Sequence, residues 1–279
     1  MEHVQATQGR GQDVALVFQP FRAETRIPAQ RCAEVLAARG VGCELLPAFE
    51  LGGVSSDRFR LALTFGGDGT ALRAAAWLLS SATPIVPIRM GKLSFLAELD
   101  PDAAPAALGR LLEGDYWVDE RAMLEATCGG HTALALNDVV LGRGAASRAV
   151  RLDVYVDDEL LARYTSDGII VSTATGSTAY ALAAGGPVLM PSLEAMLLVP
   201  IAPHLTHLRA MVVPRDTQVR IVVHTVQDAV FTADGHLDLP VADGGEVLVR
   251  IASQTTRFAR LGRRSAFYRS LESRLQRRE

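Results

Sequence analysis

The chain is nearly without lysine. Among its 28 basic residues only Lys92 is a lysine; the rest are arginine. Few lysine-dependent mechanisms are therefore open. Because Leu93 follows Lys92, no Gly-x-x-x-x-Gly-Lys-Ser/Thr phosphate loop exists. Cysteine is scarce as well. Cys32, Cys43 and Cys128 are scattered and odd in number, which excludes a secreted disulfide framework and a C-x-x-C metal site. Long apolar runs are missing. The best stretch, Met196 to Val213, is interrupted by Pro200, Pro203, His204, His207 and Arg209. Met1 to Gln12 is polar and lacks the pattern of a signal peptide. The expectation is a soluble, cytoplasmic protein. Basic residues are nearly balanced by 31 acidic ones, so no global charge points to nucleic acid or to a membrane surface.

What is present is enough apolar material for a sizeable core. The 279 residues are 49% hydrophobic and 21% charged, which argues against global disorder and allows one large domain or two ordinary ones. The first third alternates strand and helix. Val14 to Phe18 is a continuous apolar run, as a strand buried on both faces requires. Pro28 suits the first turn of a helix that buries Cys32, Val35 and Leu36 and stops at Gly40. Strands are expected at Val41–Leu46, Leu61–Phe65 and Pro84–Ile88, and helices from Ala71 to Leu79 and from Asp100-Pro101 to Gly114. This alternation implies a parallel sheet with helices packed on it.

Beyond that helix the pattern turns to short strands: Met123–Cys128, His131–Leu136, Val150–Val156, Leu160–Tyr164, Gly168–Ser172, Val219–His224, Ala229–Thr232 and Val247–Ile251. Asp157-Asp158 sits between two of them as a hairpin turn would. Ser265–Arg277 carries Phe267, Leu271 and Leu275 at helical spacing and reads as a short amphipathic helix with a basic tail.

Two glycine-containing turns carry chemistry. Gly66-Gly67-Asp68-Gly69-Thr70 follows a buried strand and precedes a helix. Glycines let phosphate oxygens approach backbone N–H groups, and the helix adds its positive end. A carboxylate in such a nest repels anions unless it has a use. Asp68 could take a proton from an attacking hydroxyl, touch a magnesium ion, or merely cap the helix. The second turn lies in Asp167-Gly168-Ile169-Ile170-Val171-Ser172-Thr173-Ala174-Thr175-Gly176-Ser177-Thr178-Ala179-Tyr180, followed by Gly185-Gly186-Pro187. A buried strand ends there in hydroxyl groups. Ser177 and Thr178 could cap a helix starting near Ala179, or the turn could bind phosphate or a purine edge with Tyr180 as a stacking face. From the residues alone these readings stay level.

Glycine-Asp-glycine turns of the first sort resemble those of a kinase superfamily that includes NAD kinases, phosphofructokinases, and diacylglycerol or sphingosine kinases. The second run resembles the NAD kinase family, and further segments follow in that family's order. Gly91-Lys92-Leu93-Ser94-Phe95-Leu96 is similar to its Gly-x-Leu-Gly-Phe-Leu, and Asn137-Asp138-Val139-Val140 to Asn-Glu-Val-Val. Pro200-Ile201-Ala202-Pro203-His204 is similar to Pro-Ile-Cys-Pro-His, and Asp234-Gly235 matches a late Asp-Gly. The matches span about residues 60 to 240, with a weaker echo at Phe267-Tyr268.

The resemblance implies phosphoryl transfer from ATP, or from another nucleoside triphosphate or polyphosphate, to the 2′-hydroxyl on the adenosine ribose of NAD, with Mg2+ or another divalent cation. It makes Asp68 the proton acceptor. Gly66, Gly67, Gly69, Thr70 and Arg73 lie by phosphate, and Phe95 packs beside the nucleotide. Asn137, Asp138, Arg148, Asp167, Thr175, Gly176, Ser177, Thr178, Ala179, Tyr180, Ala183 and His236 then belong to the dinucleotide site. The implied architecture is a Rossmann-like parallel-sheet α/β domain, residues 1–115, with 255–279 returning to it as a C-terminal helix. A β-rich dinucleotide-binding domain, 116–254, completes it. The active site is expected in the crevice between the two, in a homodimer or homotetramer.

The sequence also departs from that pattern. Ala174 stands for proline, Ala183 for serine, Asp138 for glutamate and His236 for glutamine; Pro87, Arg89 and Ser94 replace glycine, asparagine and glycine. None of these removes the proposed base. The rival readings are a lipid or sugar kinase with the same glycine-Asp-glycine turn, and a non-catalytic NAD(P)-binding sensor of the same fold. The polar 175–180 turn speaks against a lipid-tail pocket, and the intact Asp68 against the sensor.

Overall fold

A computed structural model describes residues 11–91, 93–144, 149–204, 209–225, 229–265, 267 and 271. In chain order the strands and helices are β1 (Asp13–Phe18), α1 (Ala23–Ala38), β2 (Cys43–Pro47), β3 (Phe59–Gly66), α2 (Asp68–Trp77), β4 (Ile85–Arg89), α3 (Ala104–Glu113), β5 (Trp117–Cys128), β6 (His131–Ala135), β7 (Asp138–Arg143), β8 (Val150–Val156), β9 (Glu159–Ser166), β10 (Gly168–Ser172), α4 (Tyr180–Ala183), β11 (Ala195–Ile201), β12 (Met211–Pro214), β13 (Val219–His224), β14 (Ala229–Ala233), β15 (Leu237–Val241) and β16 (Glu246–Arg260). The described chain divides into an α/β unit, up to Glu120 and again from Thr256, and a β unit, Arg121–Thr255.

In the α/β unit the parallel strands run β2-β1-β3-β4, and Phe258 of β16 pairs in parallel with Ile85. Val14, Leu16, Leu61, Leu63, Phe65, Val86 and Ile88 form a core with Cys32 and Leu36 of α1 and Leu108 and Leu111 of α3. Helix α1 begins at Ala23 and not at Pro28. Pro28 lies a turn and a half inside, where the hydrogen bond it cannot make would end on exposed Glu24 near the helix start. The Thr25 hydroxyl secures the entry by donating to the carbonyls of Gln19 and Arg22, both at 2.7 Å. Helix α2 also begins earlier than expected. Asp68, Gly69 and Thr70 are its first turn, with Gly67 as the flanking residue. Helix α3 opens later than Asp100-Pro101, at Ala104, because 101–103 form a turn. It closes on Gly114 in the left-handed conformation.

The β unit holds an antiparallel six-stranded sheet in the order β12-β11-β10-β7-β14-β15. Within the same unit β16, β13, β8 and β9 pair antiparallel in that order, and β5 with β6 makes a hairpin. Inward residues from both sets, among them Leu124, Val139, Leu152, Val171, Met196, Val219, Phe231 and Val247, share one core. The turn at Asp157-Asp158 has positive φ at both residues, 48° and 67°, as a two-residue hairpin of this twist demands. The apolar stretch from Met196 is two antiparallel strands, β11 and β12. No described helix is long and apolar enough to cross a membrane. Most of the expected C-terminal helix, Ser265–Arg277, lies outside the described residues, as does Arg148.

Candidate active site

In the α/β unit the strand order reverses direction between β1 and β3, and ligands in open α/β sheets collect outside the carboxyl ends of strands at such a point. Gly66 ends β3 there. A Cβ on Gly66 would meet Thr70 Oγ1 at 2.1 Å, so the fold itself requires that glycine. Around Gly67 and Gly69 a Cβ would meet nothing within 4 Å, and both residues are exposed. Their open side is the side a phosphate could approach.

Asp68 is partly exposed and held from a single segment. Ser94 Oγ donates to its Oδ1 at 2.5 Å, the Leu96 N–H to Oδ1 at 3.3 Å and the Phe95 N–H to Oδ2 at 2.9 Å. A carboxylate offers about four lone-pair directions. Among the described residues Oδ1 has two donors and Oδ2 one, so Oδ2 keeps an open position. Asp68 therefore does not cap α2, which has no side-chain cap bond. Arg73 sits one turn on, with its guanidinium 3.9 Å from the centre of the Phe49 ring.

In the β unit the structure brings Asn137-Asp138, Thr173 to Thr178 and Asp234 to His236 together. Asp234 is the organiser, and its role was invisible in the bare Asp-Gly pair. Its carboxylate accepts the N–H groups of Leu136, Asn137 and Asp138 at 2.7, 2.8 and 3.1 Å. On the other side Thr173 Oγ1 donates to Leu136 O at 2.6 Å, and the Thr173 N–H to Asn137 O at 2.9 Å. Gly176 passes so close that a Cβ would lie 2.0 Å from Asn137 O. The His236 ring contacts the Asp234 carbonyl.

The hydroxyls of the 175–178 turn do not cap a helix. Ser177 is fully buried; its Oγ donates to Ala174 O at 2.7 Å and accepts the Leu189 N–H at 2.9 Å. Thr178 Oγ1 donates to Thr175 O at 3.1 Å. Thr175 Oγ1 accepts from the buried Arg121 at 3.2 Å. The single-turn α4 starts at Tyr180 with no side-chain cap. Local back-bonding is a common use of Ser and Thr, and here it shapes the turn. Ala179 is partly buried and Ala183 exposed.

Asp138 is 7% exposed, and burial together with the neighbouring Asp234 carboxylate pushes its pKa up to about 7. Asp234 is also raised by burial, against the opposing pull of its three backbone donors. Beside this cluster a concavity of about 390 Å³ is lined by Arg143, Asp167, Tyr180, Ile201, Thr232 and Asp238, among others. That volume suits a small ligand. Asp167 pairs with Arg143 at 3.2 Å, both half-exposed, so the pair contributes little to stability. Tyr180 is 47% exposed and offers a ring face.

Two family models match the sequence: the ATP-NAD kinase N-terminal domain over residues 51–116 and the ATP-NAD kinase C-terminal domain over 136–261. The chain belongs to the NAD kinase family. A relative named NAD kinase from Heliobacterium modesticaldum is 40% identical over 278 residues, covering 94% of this chain and 98% of its own. The NAD kinase of Chloroflexus aurantiacus is 42% identical over 224 residues, or 78% of this chain and 80% of its own. Among solved structures, an NAD kinase from Archaeoglobus fulgidus in complex with ATP superposes with a TM-score of 0.78 at 26% identity. It covers 94% of this chain and 98% of that one. Yeast NADH kinase complexed with NADH gives 0.82 at 23% identity over 98% and 89%, a likeness of fold. The family's catalytic class, an ATP-using kinase of NAD, thus stands beside a carboxylate with an open oxygen at a glycine turn.

Proposed function

We propose that this NAD kinase uses Asp68 Oδ2 to accept the proton of the 2′-hydroxyl on the adenosine ribose of NAD while that oxygen attacks the terminal phosphorus of ATP. The O–H bond breaks as the new O–P bond forms, the bond to ADP breaks, and the proton passes from Asp68 to solvent. The observation that carries this reading is the asymmetry of Asp68: among the described residues two donors on Oδ1, one on Oδ2, beside two glycines whose open sides no described residue fills.

Gly66, Gly67, Gly69 and Thr70 frame the phosphate site at the positive end of α2. Arg73 adds positive charge one turn away, and Phe95, tied to Asp68 through its N–H, borders the nucleotide. In the β unit Asn137, Asp138, Asp167, Tyr180, Ala183 and His236 bind the dinucleotide, with the 175–179 turn as their rigid support. Catalysis in such transfers is mainly positioning and charge neutralisation.

A divalent cation fits as a companion of the triphosphate. Among the described residues no group of three or more His, Cys, Asp or Glu could hold a metal ion. Magnesium commonly needs only one or two carboxylates besides phosphate oxygens and water. The ion would supply neutralisation of phosphate charge, and the open Asp68 oxygen is left to the sugar hydroxyl.

The test is incubation of purified protein with NAD, ATP and Mg2+, with product identified by mass. NADP is expected. Phosphorylation of diacylglycerol, sphingosine or fructose phosphate in its place, or tight NADP binding with no turnover, would overturn the reading.

A further inference from the structure

Ser94 stands where the resembled Gly-x-Leu-Gly-Phe-Leu segment has glycine, and it is 5% exposed. A glycine has no side chain to reach Asp68. Here Ser94 Oγ accepts the Ala97 N–H at 2.8 Å. That bond occupies a lone pair and leaves the hydroxyl hydrogen for Asp68 Oδ1, 2.5 Å away.

The segment that carries Ser94 is itself pinned within the α/β unit. Arg260 Nη1 donates to Leu96 O at 2.6 Å, and Arg260 Nε to Asp119 at 3.0 Å, in an ion pair whose members are 8% and 15% exposed. Farther along, the Arg89 N–H bonds to Leu99 O at 2.9 Å. The serine hydroxyl is thus fixed in place before any substrate arrives. With the Leu96 N–H it fills Oδ1 from two directions.

We infer that Ser94 is a positioning residue for the phosphoryl transfer: its hydroxyl locks the Asp68 carboxylate and leaves Oδ2 as the oxygen that faces the sugar hydroxyl. Ser94 touches no substrate in this scheme and acts through Asp68. Without it, Oδ1 regains an open lone pair, and the carboxylate can turn and accept from either oxygen. The inference rests on the reading of Asp68 as proton acceptor.

The experiment is a double-mutant cycle on the full chain with NAD, ATP and Mg2+. Displacing a catalytic group by a fraction of an ångström costs on the order of tenfold, since a 1 Å error costs roughly a hundredfold. Ser94→Ala is expected to lower kcat about tenfold with KM for NAD and ATP unchanged. Ser94→Thr, which keeps the hydroxyl, should restore most of that loss. In an Asp68→Asn background Ser94→Ala should cost nothing further, because its route of action is gone. A Ser94→Ala enzyme with wild-type kcat overturns the inference, as does a loss that persists undiminished in the Asp68→Asn background. If Asp68→Asn itself keeps turnover, the reading beneath has failed, which is a distinguishable result. Should Ser94→Ala misfold by circular dichroism, Ser94→Cys, close in shape and a weak donor, carries the same expected loss and the same overturning outcome.

Discussion

Asp68 and Asp138 are two carboxylates of one enzyme placed in opposite circumstances. Asp68 is partly exposed, with three donors on its two oxygens. Asp138 is buried beside a second carboxylate, Asp234, which has taken the three nearby backbone N–H groups for itself. Its pKa is pushed up to about 7, by burial first and by Asp234 second. The difference teaches that surroundings set a carboxylate's behaviour: burial and a neighbouring like charge for Asp138, three donors for Asp68. On the proposed reading the accessible Asp68 is oriented for proton transfer, whereas the buried Asp138, its pKa held at about 7, is suited to a hydrogen bond with a ligand group.

The sharpest way to break this contrast is Asp68→Asn. The amide keeps the shape but cannot take a proton. General-base assistance is worth ~10²–10⁴-fold, so turnover should fall by that factor while NAD binding, measured by calorimetry, stays nearly intact. Near-normal turnover would remove Asp68 from the mechanism. Lost NAD binding would mean that its part is to hold substrate.

Asp138 answers to pH. An acid whose folded pKa lies above its unfolded value keeps a proton that the unfolded chain has already released. Its stabilising contribution is fully present below the ordinary carboxylate range and is lost as pH rises to about 7. The native protein should therefore lose stability between about pH 4 and 7 relative to an Asp138→Asn variant, in which that carboxyl is gone and Asp234 titrates without it. The gap is worth roughly 1–4 kcal/mol by pH 8, because each tenfold difference in proton affinity between the folded and unfolded chain is worth about 1.4 kcal/mol. Urea unfolding of both proteins at pH 5 and pH 8 measures it. Parallel stability profiles for the two proteins would show that Asp138 ionises freely.

How much of this was legible beforehand depended on distance along the chain. Strands buried on both faces announce themselves as apolar runs, and Val14–Phe18 is β1 but for the flanking Asp13. The Asp157-Asp158 hairpin is equally local. The contacts that define the site are not. Ser94 lies 26 residues from Asp68, and Asp234 lies 96 to 98 from the N–H groups it accepts. No spacing rule links them, and only the ordered resemblance brought Asn137-Asp138 and the 175–180 turn into one site. Hydroxyl groups misled for a related reason. A Ser or Thr beside a helix reads as a cap, but Ser177 and Thr178 turn back to carbonyls three residues earlier, a choice that only the folded backbone decides. The early start of α2 was hidden by Gly67 and Gly69, residues of poor helix propensity in a turn read as a phosphate nest.

The smallest effects separate fold from ligand within one turn. Gly66 and Gly67 are neighbours, and alanine at each adds one methyl group. At Gly66 that methyl collides with Thr70, itself buried at 3% exposure, so the start of α2 must shift. Such overpacking costs about 1–3 kcal/mol, and thermal unfolding should register it. At Gly67 the backbone has φ −84° and ψ −177°, open to any residue, and the methyl meets no described residue within 4 Å. Stability should stay within about 0.5 kcal/mol. The methyl would instead occupy the open side of the turn, so KM for ATP should rise several-fold at unchanged Tm. If Gly67→Ala left KM for ATP untouched, that side of the turn would be open to solvent alone, and the phosphate site would have to be sought at Gly69.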